Sequence, residues 1–262
     1  MKFLLSALLA STLALSAQDQ PDSTPKQEAV AEVPQFVTDI NNLPMEQKVK
    51  YQELFVRCDQ LFKQRRIFEC LEALYEIQQI YDGNPATMNL EGACYVEFRN
   101  FDKARLAFER TLKVQPGHFN VRFNLAEIDF VTENWEAALS KLIQLDKESA
   151  DDPRNQSMNS LVKFKILLCM LKTGDQTGAQ AILAKTDFLD DSPLYYFGNA
   201  AMEYFNDRGP EAEAWLARAG RIFSQPGIIA PWQDTLIEFG YIKSFYGGDL
   251  EVDQDSPIQD DE

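Results

Sequence analysis

One spacing recurs in this chain across several classes of residue, and it limits the available folds more than any other feature. Small residues stand at Cys58, Gly92 and Ala126, a second small series runs Cys70, Ala104 and Ala138, and large apolar residues follow at Leu74, Phe108 and Leu142. Each series advances by 34 residues. A fixed period of this size marks repeated supersecondary units, each unable to bury its own apolar face and so obliged to stack on its neighbours. Within the period, apolar residues at Ile67, Cys70, Leu71, Leu74 and Ile77, and again at Phe101, Ala104, Phe108, Thr111 and Leu112, fall three and four apart. That pattern makes one-sided helices, and no comparable period-two run competes with it. Asn84-Pro85, Asn100-Phe101, Asn134-Trp135 and Ser192-Pro193 mark helix starts, where a side-chain oxygen takes an orphan amide or Pro already holds a helical φ. Two helix axes come close only where both carry small side chains, so Gly92 is expected to face Ala104.

The middle unit, MNLEGACYVEFRNFDKARLAFERTLKVQP, resembles the tetratricopeptide repeat, with Gly92, Tyr95, Ala104, Phe108 and Pro116 in the family's order and spacing. Met88 and Glu91 stand where the family has Trp and Leu, and in the next unit Arg122 and Asp129 replace apolar or aromatic residues. A fourth unit holds Leu167, Met170, Ala179 and Leu183, displaced by 41 residues from the third, which implies an insertion around Glu148 to Asn159. The stretch from Leu194 to Ala219 reads as a fifth hairpin around Gly198 and Ala212, and Pro231 to about Phe245 as a helix that caps the array. The resemblance covers roughly residues 45 to 245. It implies an all-α solenoid of about five antiparallel hairpins plus the C-terminal capping helix, spanning residues 44–246.

The resemblance further implies a concave surface, lined by the first helix of each pair, that holds an extended or helical peptide. Mapped onto this chain, that surface takes Phe55, Asp59 and Phe62, then Asn89, Ala93 and Val96, then Asn120, Phe123, Asn124, Glu127 and Phe130, then Phe164 and Leu171. Aromatics there would grip apolar side chains, the Asn residues would bond a peptide backbone, and Asp59 and Glu127 would favour a basic ligand. The opposing reading is that these aromatics pack against the terminal helices or the linker. One subgroup of the family clamps a terminal carboxylate with Lys, Arg and Asn, whereas Phe55, Asp59, Ala86 and Asn120 fill those positions here.

Outside the repeats, Lys2 precedes an apolar run from Phe3 to Leu15 and small residues at Ser16 and Ala17, the pattern of a secretory signal peptide spanning 1–17. A periplasmic or secreted protein is expected. No other stretch reaches the roughly 18 to 20 apolar residues of a membrane span. Residues 18–43 mix Pro, Gln, Ser and acids without periodicity and read as a flexible linker, and 247–262, with seven acids and no base, as a solvated acidic tail. The tail's alternating acids lack the Gly and the closing Glu of a calcium loop. A formal net charge of −16 and no basic stripe argue against nucleic acid, whose phosphates need clustered Lys and Arg.

Four Cys occur. Cys58 and Cys70 hold the facing small sites of the first hairpin, so an exported chain would either bridge them or keep two buried thiols as small apolar residues. Cys94 and Cys169 read as core. His118 is the only His, and it lies in a turn beside Pro116-Gly117 without a partner motif, which leaves little room for acid–base or metal chemistry. The carboxylate pairs Asp151-Asp152 and Asp190-Asp191 read as helix-start residues. The expectation is a binding adaptor of protein or peptide, with no cofactor, no metal and no catalytic set. The alternative is a structural, self-associating subunit whose groove holds its own segments.

Overall fold

The computed structural model describes residues 33–149 and 156–242. The expected signal peptide, the first part of the expected linker and the acidic tail lie outside the described residues. Within them are twelve α-helices and no strand. They are α1 (Gln35–Asn41), α2 (Met45–Lys63), α3 (Ile67–Ile80), α4 (Pro85–Glu97), α5 (Phe101–Val114), α6 (Phe119–Val131), α7 (Trp135–Ser149), α8 (Gln156–Lys172), α9 (Gln176–Leu183), α10 (Leu194–Phe205), α11 (Gly209–Ile222) and α12 (Pro226–Phe239). No helix is long and apolar enough to cross a membrane. The chain forms two compact units, one ending at Ile128 and one beginning at Asp129.

The short turns share one construction. Arg65, Arg99, Glu133, Gly174 and Asp207 all have positive φ, between 53° and 86°, at steps of 34, 34, 41 and 33 residues along the chain. Around each, the chain ends one helix with a pair of reversed hydrogen bonds. Arg65 N–H donates to Phe62 and Arg66 N–H to Leu61, and the same pattern joins Arg99 to Val96 and Asn100 to Tyr95. This left-handed cap satisfies the last carbonyls of the first helix. The next residue opens the second helix: Asn100 Oδ1 accepts from Lys103 N–H and Asp175 Oδ1 from Gly178 N–H. Four of the five left-handed positions carry side chains, each tolerated at a cost of about 1 kcal/mol.

In the first unit, α2 packs on α3 and α4 on α5. Leu90, Ala93 and Cys94 of α4 close the core that α2 and α3 begin, while Val96 joins Ala104 and Phe108 of α5 and Val121, Leu125 and Ile128 of α6 in a second core. Burial alternates across α4 in this way because it has apolar residues on two faces. The expected tight crossing of α4 and α5 is centred one turn beyond Ala104: a Cβ on Gly92 would overlap the ring of Phe108, and Ala104 is fully buried beside it. In the second unit α8 packs on α9, α10 on α11, and α10 also on α8. Gly198 was expected to pair with Ala212, but a Cβ there would overlap Leu183 of α9 instead. The glycine serves the contact between successive hairpins rather than the one within its own.

Three expectations change. Residues 35–41, read as linker, form α1, because Ile40 packs on the first core and the Tyr81 hydroxyl donates to Asp39 at 3.0 Å. Seven residues are too few to show a period, and tertiary contacts decide their state. The insertion around 148–159 is partly helical: α7 runs to Ser149, α8 starts at Gln156, and the two are clasped where Ser149 Oγ donates to Asn159 Oδ1 and Asn159 Nδ2 to the Ser149 carbonyl. The last helix starts at Pro226, not Pro231, and stops before Gly240, whose φ of 85° gives it a left-handed cap.

Gly92→Ala should lower stability by about 2–3 kcal/mol in urea unfolding, because the buried Phe108 ring has no room to withdraw. Adding Phe108→Leu should recover part of that loss. A Gly92→Ala protein as stable as the parent would show that the two helices are not held this close.

Candidate partner-binding face

Four of the thirteen residues assigned to a binding surface remain partly accessible: Phe55 and Asp59 on α2, and Asn120 and Asn124 on α6. Asp59 is already engaged, since its carboxylate accepts from Lys63 Nζ at 2.6 Å one turn along the helix. Between α2 and α6 in sequence stands α4, whose start is fixed by a polar anchor. Asn84 Oδ1 accepts from Ala86 N–H and its Nδ2 donates to the Tyr51 hydroxyl at 2.8 Å, so one buried side chain caps α4 and ties it to α2. Burial pushes the Tyr51 phenol above its ordinary range, which keeps it neutral in this bond. Five residues beyond the cap, Asn89 is 8% exposed, and its side-chain oxygen is buried with no hydrogen-bond partner. A buried amide oxygen left unpaired costs roughly 1–3 kcal/mol. It is the one polar group on the expected surface of α4.

The other assigned residues are interior. Phe62 belongs to the first core with Leu61 and Cys58, and Phe123 and Glu127 on α6 are 8% exposed. Phe130 and Phe164 have no exposure at all. The reason lies in α12. Its Phe239 stacks on Phe130 at 5.9 Å between centroids and meets Trp135 at 5.3 Å, and its Trp232 lies 5.2 Å from Phe164 and 5.8 Å from Phe197. This helix, expected to cap the array, packs on α8 and covers these aromatics.

The contact also buries charge. Lys165, in the middle of the apolar helix α8, has 2% side-chain exposure, with its ammonium 3.6 Å from a Glu238 carboxylate oxygen and 4.3 Å from the centre of the Phe130 ring. An ammonium over an aromatic face is attracted by the ring's quadrupole, more strongly where water is excluded. Lys172 similarly lies 4.7 Å over Phe239. Asp234, one turn before Glu238, has its pKa raised to about 6 by burial and by Glu238, against the opposing pull of Lys165. Sequence reasoning missed this cluster, although a lysine inside LVKFKILLCML was a visible anomaly.

All four cysteines are free and buried. Of the two alternatives for Cys58 and Cys70, the structure holds the buried thiols: each points at the other residue's backbone carbonyl, with Cys70 Sγ 3.3 Å from the Cys58 oxygen and Cys58 Sγ 3.9 Å from the Cys70 oxygen. The sulfur that approaches Cys70 is that of Cys94, at 3.5 Å. The bond with Cys70 and burial push the Cys58 thiol up, while Cys70 rises to about 12 because the bond with Cys94 and burial outweigh the lowering effect of Cys58. Such thiols are poor nucleophiles. The side chain of His118 accepts from Val121 N–H at 3.4 Å at the start of α6, and burial lowers its pKa. Helix capping accounts for it. Asp190 accepts from Asp187 N–H in a turn rather than at a helix start. No group of three His, Cys, Asp or Glu among the described residues is arranged to hold a metal ion.

No protein-family model matches the chain, and no curated protein is similar to it in sequence.

The α12 contact makes stability depend on pH in a definite direction. Asp234 titrates near 6 when folded and near its ordinary 3.8 when unfolded, so the folded state binds more protons between those values and loses stability as pH rises through them. Asp234→Asn should therefore be the more stable protein at pH 7, by about 1 kcal/mol once the half-exposed position is discounted. The advantage should fade toward pH 4. A difference that stays constant from pH 4 to 7.5 would remove the charge-burial account of this contact.

Proposed function

We propose that the chain is an exported α-solenoid of tetratricopeptide type that binds a protein or peptide of the cell envelope through the first-helix faces of its N-terminal unit. The observation that carries this reading is the unpaired oxygen of Asn89. It sits on the second of three first helices, and its neighbours in the expected stripe, Phe55, Asp59, Asn120 and Asn124, are the residues of that stripe that stay partly accessible. A peptide N–H is the donor such an oxygen lacks, and aromatic and amide side chains beside it supply apolar grip and further backbone bonds. The acidic balance of the chain favours a basic partner.

A second reading has its own support. In the C-terminal unit the corresponding aromatics, Phe130 and Phe164, lie beneath α12. That arrangement suits a unit whose groove is filled by its own segment and whose task is structural. The two readings divide by unit, and the first governs only residues before Asp129.

Asn89→Leu separates them. If Asn89 exists to meet a ligand, its replacement should raise stability by about 1 kcal/mol, since an unsatisfied buried acceptor is removed. The same change should cut crosslinking from a photoreactive residue at Asn124 to envelope proteins of the host at least tenfold, and a photoreactive residue at the exposed Glu72 serves as background. Equal crosslinking from the parent and Asn89→Leu proteins would dispose of the N-terminal face as the interface.

A further inference from the structure

A cavity of about 730 Å³ opens in the C-terminal unit between α7, α8, α9 and the segment that leads to α10. No residue of the expected partner surface is among those that line it. Ile143, Ile166, Met170, Ile182 and Leu194 supply its apolar lining. The volume falls within the range of about 300–1,000 Å³ typical of small-molecule sites. Its outer wall is preformed. Asp187 N–H donates to Asp190 Oδ2, Leu189 N–H to Asp187 Oδ1, and the Tyr196 hydroxyl to the Phe188 carbonyl, so the chain's own bonds hold the turn. This fixed turn holds Leu189, 77% exposed, at the cavity's edge. A ligand that covers it gains apolar burial without first ordering a loop.

The polar lining selects the head group. Asp146, Asp190 and Asp191 place three carboxylates around the cavity against the two ammoniums of Lys163 and Lys185. Asp146 Oδ1 is buried without a hydrogen-bond partner, because Lys163 Nζ stands 3.9 Å away, close enough for attraction and too far for a bond. With three carboxylates against two ammoniums the lining carries a net negative charge, which disfavours an anion. It favours a cation whose N–H groups pair with the accessible part of the Asp146 carboxylate.

We infer that this cavity binds a small amphipathic amine, with an alkyl or aryl body against the isoleucines and Met170 and an ammonium group donating to Asp146. The inference does not rest on the partner-binding reading, which concerns the other unit. The probe is n-octylammonium, titrated into the full-length mature protein carrying ¹³C-methyl Ile and Met, with octanoate and 1-octanol run in parallel. Saturable methyl shifts at Ile143, Ile166, Met170 and Ile182 are expected with octylammonium, at an affinity at least tenfold above that for octanoate. Asp146→Asn should weaken octylammonium at least tenfold and leave 1-octanol unchanged. Met170→Trp, which fills the cavity, should abolish all three while circular dichroism stays constant. Unmoved methyls, equal affinity for octylammonium and octanoate in the parent protein, or undiminished binding in the Met170→Trp protein would each overturn the proposal. If Asp146→Asn fails to fold, the parent comparison and Met170→Trp decide it alone.

Discussion

The close approach of paired helices is what the rest of this structure depends on. Where Gly92 meets the ring of Phe108, the missing side chain of one helix makes space for the largest buried side chain of the next, and α4 and α5 become a single slab. Cys58 and Cys70 do the same in the preceding hairpin with thiols small enough for each to reach the other's backbone carbonyl. Two hairpins thus solve one problem with different residues. The solution has a chemical consequence, since any residue placed at such a crossing is cut off from water. Cysteine there is held as a neutral, poorly reactive thiol, and its position reflects its volume rather than its redox chemistry.

The second unit meets a different constraint. Its first helices carry more aromatic surface than their own hairpins bury, and α12 lies across it with Trp232 and Phe239. Covering that surface also removes Lys165 from water. Breaking a buried ion pair by deleting one partner is far more costly than the pair is worth, so Glu238 constrains α12 more than it stabilises it. Charge of this kind favours one seating of the helix over its neighbours along α8, where apolar contacts alone would tolerate a slide. Asp234 makes the same point from the opposite side, because its raised pKa means that the seating is held against an electrostatic penalty.

How much of this was legible in the sequence differs by level. The hairpins were, because a period shared by small and large residues can arise in few other ways, and the turns at Arg65, Arg99 and Glu133 keep the same 34-residue step. The partner of each small residue was not. Spacing shows that Gly92 and Gly198 need a close neighbour, but whether it lies within the hairpin, as Phe108 does, or in the hairpin before, as Leu183 does, depends on helix rotation of a few tens of degrees. The same blindness affected the expected surface. Phe62, Phe130 and Phe164 share the helical face of Phe55, and only tertiary packing distinguishes an aromatic that covers a core from one that remains available. The start of α12 was missed for a local reason, since two prolines five residues apart both suit a first turn, and Pro231 is accommodated inside the helix.

Buried polar atoms sort these elements more sharply than apolar ones do. Most of those described are paired within the chain: Asn84 with Tyr51 and an amide, Ser149 with Asn159, Thr111 with the Ala107 carbonyl. Each pairing fixes a helix end or strengthens a helix, and each is explained by folding alone. Asn89 and Asp146 each present a buried oxygen that forms no hydrogen bond, and the Asp146 oxygen has the Lys163 ammonium 3.9 Å away. Leaving such an atom unpaired costs about as much as a cap or a tight crossing contributes, so folding gives no reason to keep it. The two atoms occupy different units and different surroundings, one on the face of α4 and one at a cavity beside α7. The two atoms therefore ask for separate explanations, and the readings proposed for them stand or fall independently.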